Sequence, residues 1–203
     1  MKQYFRTFVL AVLAGMAIGI GGVVFLSLDI KIAGAVFFSV GLYIICVQGL
    51  NLFTGKVCYT LDNSPAYLAD LAVIWIGNFA GALLTAYLMS VTRFGAGLYE
   101  KAFGACIARM DDTFLSLFIL GIFCGILIYG AVEGFKKTGN PLILIFCVTV
   151  FILCGFEHCI ADMVYFSLAR IWSVDSIIRI LVITAGNSVG GMLIPACQRF
   201  FAK

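Results

Sequence analysis

Six stretches of the chain run free of charged residues: 7–28, 32–55, 71–92, 113–132, 138–156 and 180–198. Each is close to the ~20 residues a helix needs to cross a hydrocarbon core. The apolar positions are continuous within each stretch. A spanning β-barrel would instead show alternating segments of ~10 residues. The pattern therefore predicts an all-α membrane protein with six transmembrane helices. The first stretch follows Met1-Lys2-Gln3-Tyr4-Phe5-Arg6. It is too long for a signal peptide, and no small-x-small site follows Gly21-Gly22, so it is read as a retained first helix.

Composition agrees with the pattern. The chain of 203 residues is 63% hydrophobic and 11% charged, with a mean hydropathy of +1.13. A soluble domain carries about 25% charged residues, so much of this surface must face lipid. The net charge of +3 is too small to imply nucleic acid. With both termini placed on the cytoplasmic side, seven basic residues fall there and six opposite. The short Lys136-Lys137 loop and the two termini favour that orientation. Eight cysteines and one histidine offer no zinc set, and no cysteine pair has CxxC spacing. They are read as small packing residues, and neither metal nor cofactor is expected.

The second half of the chain repeats the first. Ala14-Gly15 corresponds to Cys124-Gly125, Gly49 to Gly155, Tyr59 to Tyr165, and Gly77-Asn78-Phe79-Ala80-Gly81 to Gly186-Asn187-Ser188-Val189-Gly190. The expected organisation is one transmembrane domain over 1–203. Repeat one covers about 5–92, a connecting loop about 93–112, and repeat two about 113–200. Three spans per half is an odd number, so the second half enters the bilayer from the opposite side. The mixed charges of 93–112 read as a solvated connection able to hold a short helix. The glycines four apart in each Gly-Asn motif share one helix face and read as close-packing positions.

The middle span of each half turns polar partway through. One reads Gln48-Gly49-Leu50-Asn51-Leu52-Phe53-Thr54-Gly55-Lys56, the other Cys154-Gly155-Phe156-Glu157-His158-Cys159-Ile160-Ala161-Asp162. Irregular backbone at membrane depth survives only against protein or a water-filled path. Two broken helices at matching points of an inverted repeat point to a transport site, with half-helix N-termini offering partial positive charge to an anion. His158 is ionisable and within a span, which gives it a functional reading. Phe151, Gly155 and His158 follow i, i+4, i+7, as do Phe38, Leu42 and Ile45 with Gly49 in the second span. Glu157 and Asp162 are candidate proton carriers, but Glu157, one residue from His158, points elsewhere on a regular helix and reads rather as a residue that holds the break by hydrogen bonding. Asn78 and Asn187 read as partners of freed backbone groups.

On these residues the chain resembles the formate/nitrite transporter family. The resemblance rests on Asn51-Leu52-Phe53-Thr54-Gly55, on Gly155-Phe156-Glu157-His158 with Ala161 and Met163, and on the two Gly-Asn-x-x-Gly motifs. It extends over nearly the whole chain. It implies an aquaporin-like protomer with broken second and fifth helices, assembled in the lipid membrane as a homopentamer with one pore per subunit. By the same resemblance His158 is the central pore residue and Thr54 its hydrogen-bonding partner. Leu42, Leu52 and Phe53 line the cytoplasmic slit, and Phe38 and Phe151 narrow the opposite one. The implied cargo is a small anion: formate, nitrite or hydrosulfide.

Two departures stand out. Gly125 occupies a fourth-span position where the family commonly has asparagine, which predicts a different hydrogen-bond network around His158. Lys56 and Asp162 replace small or amide residues at equivalent repeat positions, and their opposite charges predict a pair near the breaks. Other classes fit less well. The Asn-Pro-Ala signatures of water and glycerol channels are missing. A membrane enzyme lacks a catalytic constellation here, and a purely structural or sensory protein has no need of two polar helix breaks.

Overall fold

The computed structural model describes residues 2–201, which form helices joined by short links and contain no strand. Five helices are long and apolar enough to span a membrane: α1 (Lys2–Ser27), α2 (Lys31–Gln48), α4 (Tyr67–Ser90), α6 (Phe114–Thr138) and α9 (Val174–Phe201). A sixth span is made by α7 (Pro141–Cys154) and α8 (Cys159–Ala169), bent by 54° at their junction. The second span breaks after α2 and resumes as the short α3 (Phe53–Lys56), which runs into a 3-10 turn over Val57–Asp62.

Local chemistry sets the ends. Asn140 caps α7 by accepting from Leu142 N at 3.0 Å, and Pro141 fills the first helical position, where no N–H is needed. Thr113 caps α6 by accepting from Ser116 N at 3.1 Å. Gly49 and Gly155 end α2 and α7 in the left-handed conformation, with φ of 65° and 69°. That backbone is cheap only for glycine.

Within each half the first and third spans cross closely, α1 on α4 and α6 on α9. A methyl group on Gly81 would meet Val12 O at 2.1 Å, and one on Gly190 would meet Ile122 O at 2.0 Å. Gly15 and Gly125 sit against the carbonyl oxygens of Asn78 and Asn187 in the same way, at 2.1 and 2.4 Å. Gly125 therefore faces the backbone of α9, where a side chain would meet the Asn187 carbonyl.

The halves interlock through their broken spans. α2 packs on α7, α8 packs on α4, and the 3-10 turn packs on α9. Trp75 Nε1 donates to Thr184 Oγ1 at 3.2 Å across the two halves, and the two residues are 109 positions apart, the offset of the Gly-Asn motifs. A pair of equivalent positions in contact lies on the pseudo-two-fold axis of an inverted repeat.

The connection between the halves is more than a solvated link. α5 (Gly95–Met110) buries Leu98, Ala102 and Cys106, spaced four apart, against α8. That stripe delivers Arg109 into the interior.

Candidate functional site

Each break is held open by an asparagine. Asn78 Oδ1 accepts from Phe53 N at 2.8 Å, while its Nδ2 donates to Ala11 O and Asn51 O, both at 2.8 Å. Asn187 Oδ1 accepts from Cys159 N at 2.9 Å, while its Nδ2 donates to Gly121 O at 2.9 Å and Glu157 O at 2.8 Å. Both asparagines are fully buried. Backbone groups freed by a break have no water to turn to in a bilayer; each amide satisfies two of them and anchors itself to a carbonyl of the half's first span.

The breaks present Leu52 and His158 as the residues that precede α3 and α8. His158 is buried, and both ring nitrogens are bonded. Nδ1 accepts from Ala161 N at 3.2 Å, and Nε2 lies 2.9 Å from Thr54 Oγ1. An N–H pointing at Nδ1 requires that nitrogen to be bare. The imidazole is therefore neutral in this arrangement, with its proton on Nε2 and directed to the threonine hydroxyl. The ring also stacks on Phe151, with centroids 5.9 Å apart and planes at 26°. His158 does not lie on the helix that carries Phe151, as the i, i+7 reading had it. The chain turns at Gly155 and brings the two rings together all the same.

Two cavities approach this centre from opposite sides. One, of about 60 Å³, is lined by Leu42, Leu52, Val132, Lys56 and Lys136. The other, of about 180 Å³, is lined by Phe151, His158, Lys31, Arg109, Asp162 and Tyr165. Leu42 and Leu52 are each 1% exposed, so the ground between the cavities is dry and apolar. Phe38 meets Phe151 edge-on at 5.9 Å. Phe53, next to Leu52, lines an apolar groove with Leu71, Trp75 and Leu181.

The supporting charges are also rearranged. Lys56 and Asp162 do not pair. Asp162 Oδ1 accepts from Arg109 Nε at 2.8 Å, and Arg109 Nη2 lies 2.7 Å from Glu157 Oε2. Lys56 opens on the other cavity and makes no ion pair among the described residues. Asn51 donates from Nδ2 to Thr7 O at 3.3 Å, tying the first break to α1. Arg109 escaped the sequence reading because it stood in a stretch of mixed charge. Two carboxylates in an apolar span demanded a counter-ion, and the apolar stripe Leu98, Ala102, Cys106 marked the helix that brings it.

Among the described residues no cluster of side chains could hold a metal ion. A family model described as Formate/nitrite transporter matches residues 1–201. The formate channel FocA of Haemophilus influenzae is 27% identical over 212 residues, covering 85% of this chain and 75% of its own length. FocA of Escherichia coli K12 is 27% identical over 186 residues, covering 80% of this chain, which spans just under two thirds (65%) of that protein. A solved pentameric formate channel with formate bound is 26% identical, with a TM-score of 0.85 over 99% of this chain and 98% of that one. An ion channel of the FNT family, 23% identical, shares the fold, with a TM-score of 0.84 over 98% of this chain and 90% of its own.

Proposed function

As the chain belongs to the formate/nitrite transporter family, we propose that it passes a small monovalent anion, formate above all, across the membrane as part of a homopentamer. The path runs through each subunit, from the Lys56 cavity past His158 to the Arg109 cavity. The observation that carries this reading is the Thr54–His158 pair at the meeting of two broken helices, with an apolar closure on one side and an open cavity on the other. The likeness to a pentameric formate channel with formate bound favours both the cargo and the assembly. The termini are assigned to the cytoplasmic side.

The chemistry follows from the charges. Lys56, which makes no ion pair among the described residues, draws an anion into one cavity, where Lys136 is already paired with Glu133 at 3.1 Å, and Lys31 and Arg109 lie at the other. A bare anion crossing the dry Leu42–Leu52 segment would lose its hydration without compensation. A neutral weak acid crosses far more easily, so the anion takes up a proton from the water of the cavity as it sheds its hydration. His158 can offer its Nε2–H to a carboxylate only by releasing Thr54. Full transfer of that proton requires Nδ1 to take up another, which breaks the bond from Ala161 N. The geometry thus favours His158 as a hydrogen-bonding station over a fixed cation.

Reconstitution into liposomes tests the reading. Labelled formate uptake is expected, with nitrite and hydrosulfide present in turn as competitors, and His158→Phe should abolish it. Absence of formate uptake by correctly assembled protein, or full uptake by the His158 variant, would overturn the proposal.

A further inference from the structure

Arg109 is one cation set against two carboxylates. Its Nε is spent on Asp162 Oδ1 at 2.8 Å and its Nη1 on Ala105 O at 2.8 Å. Its Nη2 lies 2.7 Å from Glu157 Oε2, yet that oxygen accepts no aligned hydrogen bond. Asp162 Oδ2 is likewise buried without a donor. The Arg109, Glu157 and Asp162 side chains are only 14%, 9% and 1% exposed. Both carboxyl groups thus sit on the one guanidinium, Glu157 Oε2 2.7 Å from Nη2 and Asp162 Oδ1 2.8 Å from Nε.

No neighbour supplies the missing donor or a second counter-charge. From α2, Lys31 turns to Leu153 O at 3.4 Å. From α9, Arg179 is occupied by Asp175 and by the carbonyls of Arg109 and Asp112. Tyr165 on α8 lies with its ring beneath Arg109, at 5.3 Å, and its hydroxyl finds no acceptor. His158 has both nitrogens engaged. Cys106, Cys124 and Cys159, from α5, α6 and α8, contribute only thiols. Two carboxylates on one cation in a buried site do not both stay ionised, and a buried acceptor left without a donor is costly.

We propose that Glu157 and Asp162 hold one proton between them, making the cluster with Arg109 electrically neutral and giving this mouth of the pathway a proton-controlled charge. One carboxyl group donates to the other, which gives the orphaned oxygens a partner. In that state Lys31 leaves the cavity net positive and open to anions. Loss of the proton to cavity water leaves two carboxylates on one guanidinium, a net charge of −1 beside His158. The sign is then fixed. Anion uptake from this side falls as the pH on this side rises through the titration of the pair, on top of any change in the fraction of neutral acid. This last consequence rests on the reading of the cavity as the anion's route; the shared proton does not.

Infrared spectroscopy of the lipid-reconstituted protein separates the two. At neutral pH the unmutated chain should show a carboxylic-acid C=O stretch that shifts in deuterated water and disappears as the pH is raised. Carboxyl-labelling of Asp and of Glu with carbon-13 should move that band in the unmutated protein. Asp162→Asn and Glu157→Gln should each remove it, since either leaves one carboxylate facing one guanidinium. Absence of a neutral-acid band from the unmutated protein, or its survival in Asp162→Asn, would overturn the shared proton whether or not any anion is transported. In liposomes, Asp162→Asn should lose the limb of the pH profile assigned to the pair. An unchanged profile would overturn its control of the mouth.

Discussion

Asn78 and Asn187, 109 positions apart, bond matching backbone groups in the two halves of the molecule: the N–H that opens a half-helix, a carbonyl two residues before it in the break, and a carbonyl of the half's first span. Each needs one acceptor and two donors on a single planar group, and only a carboxamide supplies that set at this size. Substitution by aspartate keeps the shape and the acceptor but loses the donors; even a protonated aspartate returns only one. Asn78→Asp and Asn187→Asp should therefore destabilise about as much as the alanine variants, by roughly 1–3 kcal/mol for each orphaned group. Thermal unfolding in detergent checks this. An aspartate variant as stable as the parent would contradict the assigned bonding.

The solitary histidine makes its protonation directly readable. Its Nδ1 accepts from Ala161 N and its Nε2 faces Thr54, so a single neutral imidazole with the proton on Nε2 is expected in the nitrogen NMR spectrum at neutral pH. Thr54→Ser should preserve that signature. Thr54→Val removes the partner, worth about 0.5–1.5 kcal/mol, and should reduce formate flux several-fold while altering the Nε2 signal. A doubly protonated ring at neutral pH would contradict the geometry.

Much of this could be read from the chain because the bilayer restricts what a sequence can do. Charge-free stretches had to be helices, and polar groups at Gly49–Thr54 and Gly155–His158 had to mark breaks. The pairing of charges could not be read in that way. Lys56 and Asp162 occupy equivalent positions in an inverted repeat, and inversion sends equivalent positions that lie off its two-fold axis to opposite sides. Their opposite signs suggested a contact that the fold makes unreachable. Arg109 stood among exposed charges, and only the packing of α5 on α8 showed where it goes.

Close helix crossings should respond sharply to single methyl groups. Gly81→Ala and Gly190→Ala put a carbon within 2.1 Å of a carbonyl oxygen on the facing helix, so the helices must separate. Overpacking of this kind costs about 1–3 kcal/mol, and both variants should melt at lower temperature. Gly104 in α5 has open space where its methyl would go. There, alanine should be neutral or should stabilise by up to ~1 kcal/mol through helix propensity. A Gly81→Ala protein as stable as Gly104→Ala would show that the crossing is looser than described.

Exchange of the two charges tests the corrected pairing. If Lys56 and Asp162 were partners, Asp162→Lys would be rescued by Lys56→Asp. In the structure Asp162 bonds Arg109 at 2.8 Å, whereas Lys56 lines the opposite cavity beside Lys136. A lysine at 162 therefore meets a guanidinium, and an aspartate at 56 is too distant to relieve it. The double variant should assemble no better than Asp162→Lys alone. Lys56→Met should leave assembly intact and act on encounter with the anion instead. It should lower uptake from its own side several-fold at low ionic strength, and the difference should fade as salt screens the cavity. Restoration of assembly by the double exchange would return Lys56 to the Asp162 site, and a loss of uptake insensitive to salt would deny it an electrostatic role.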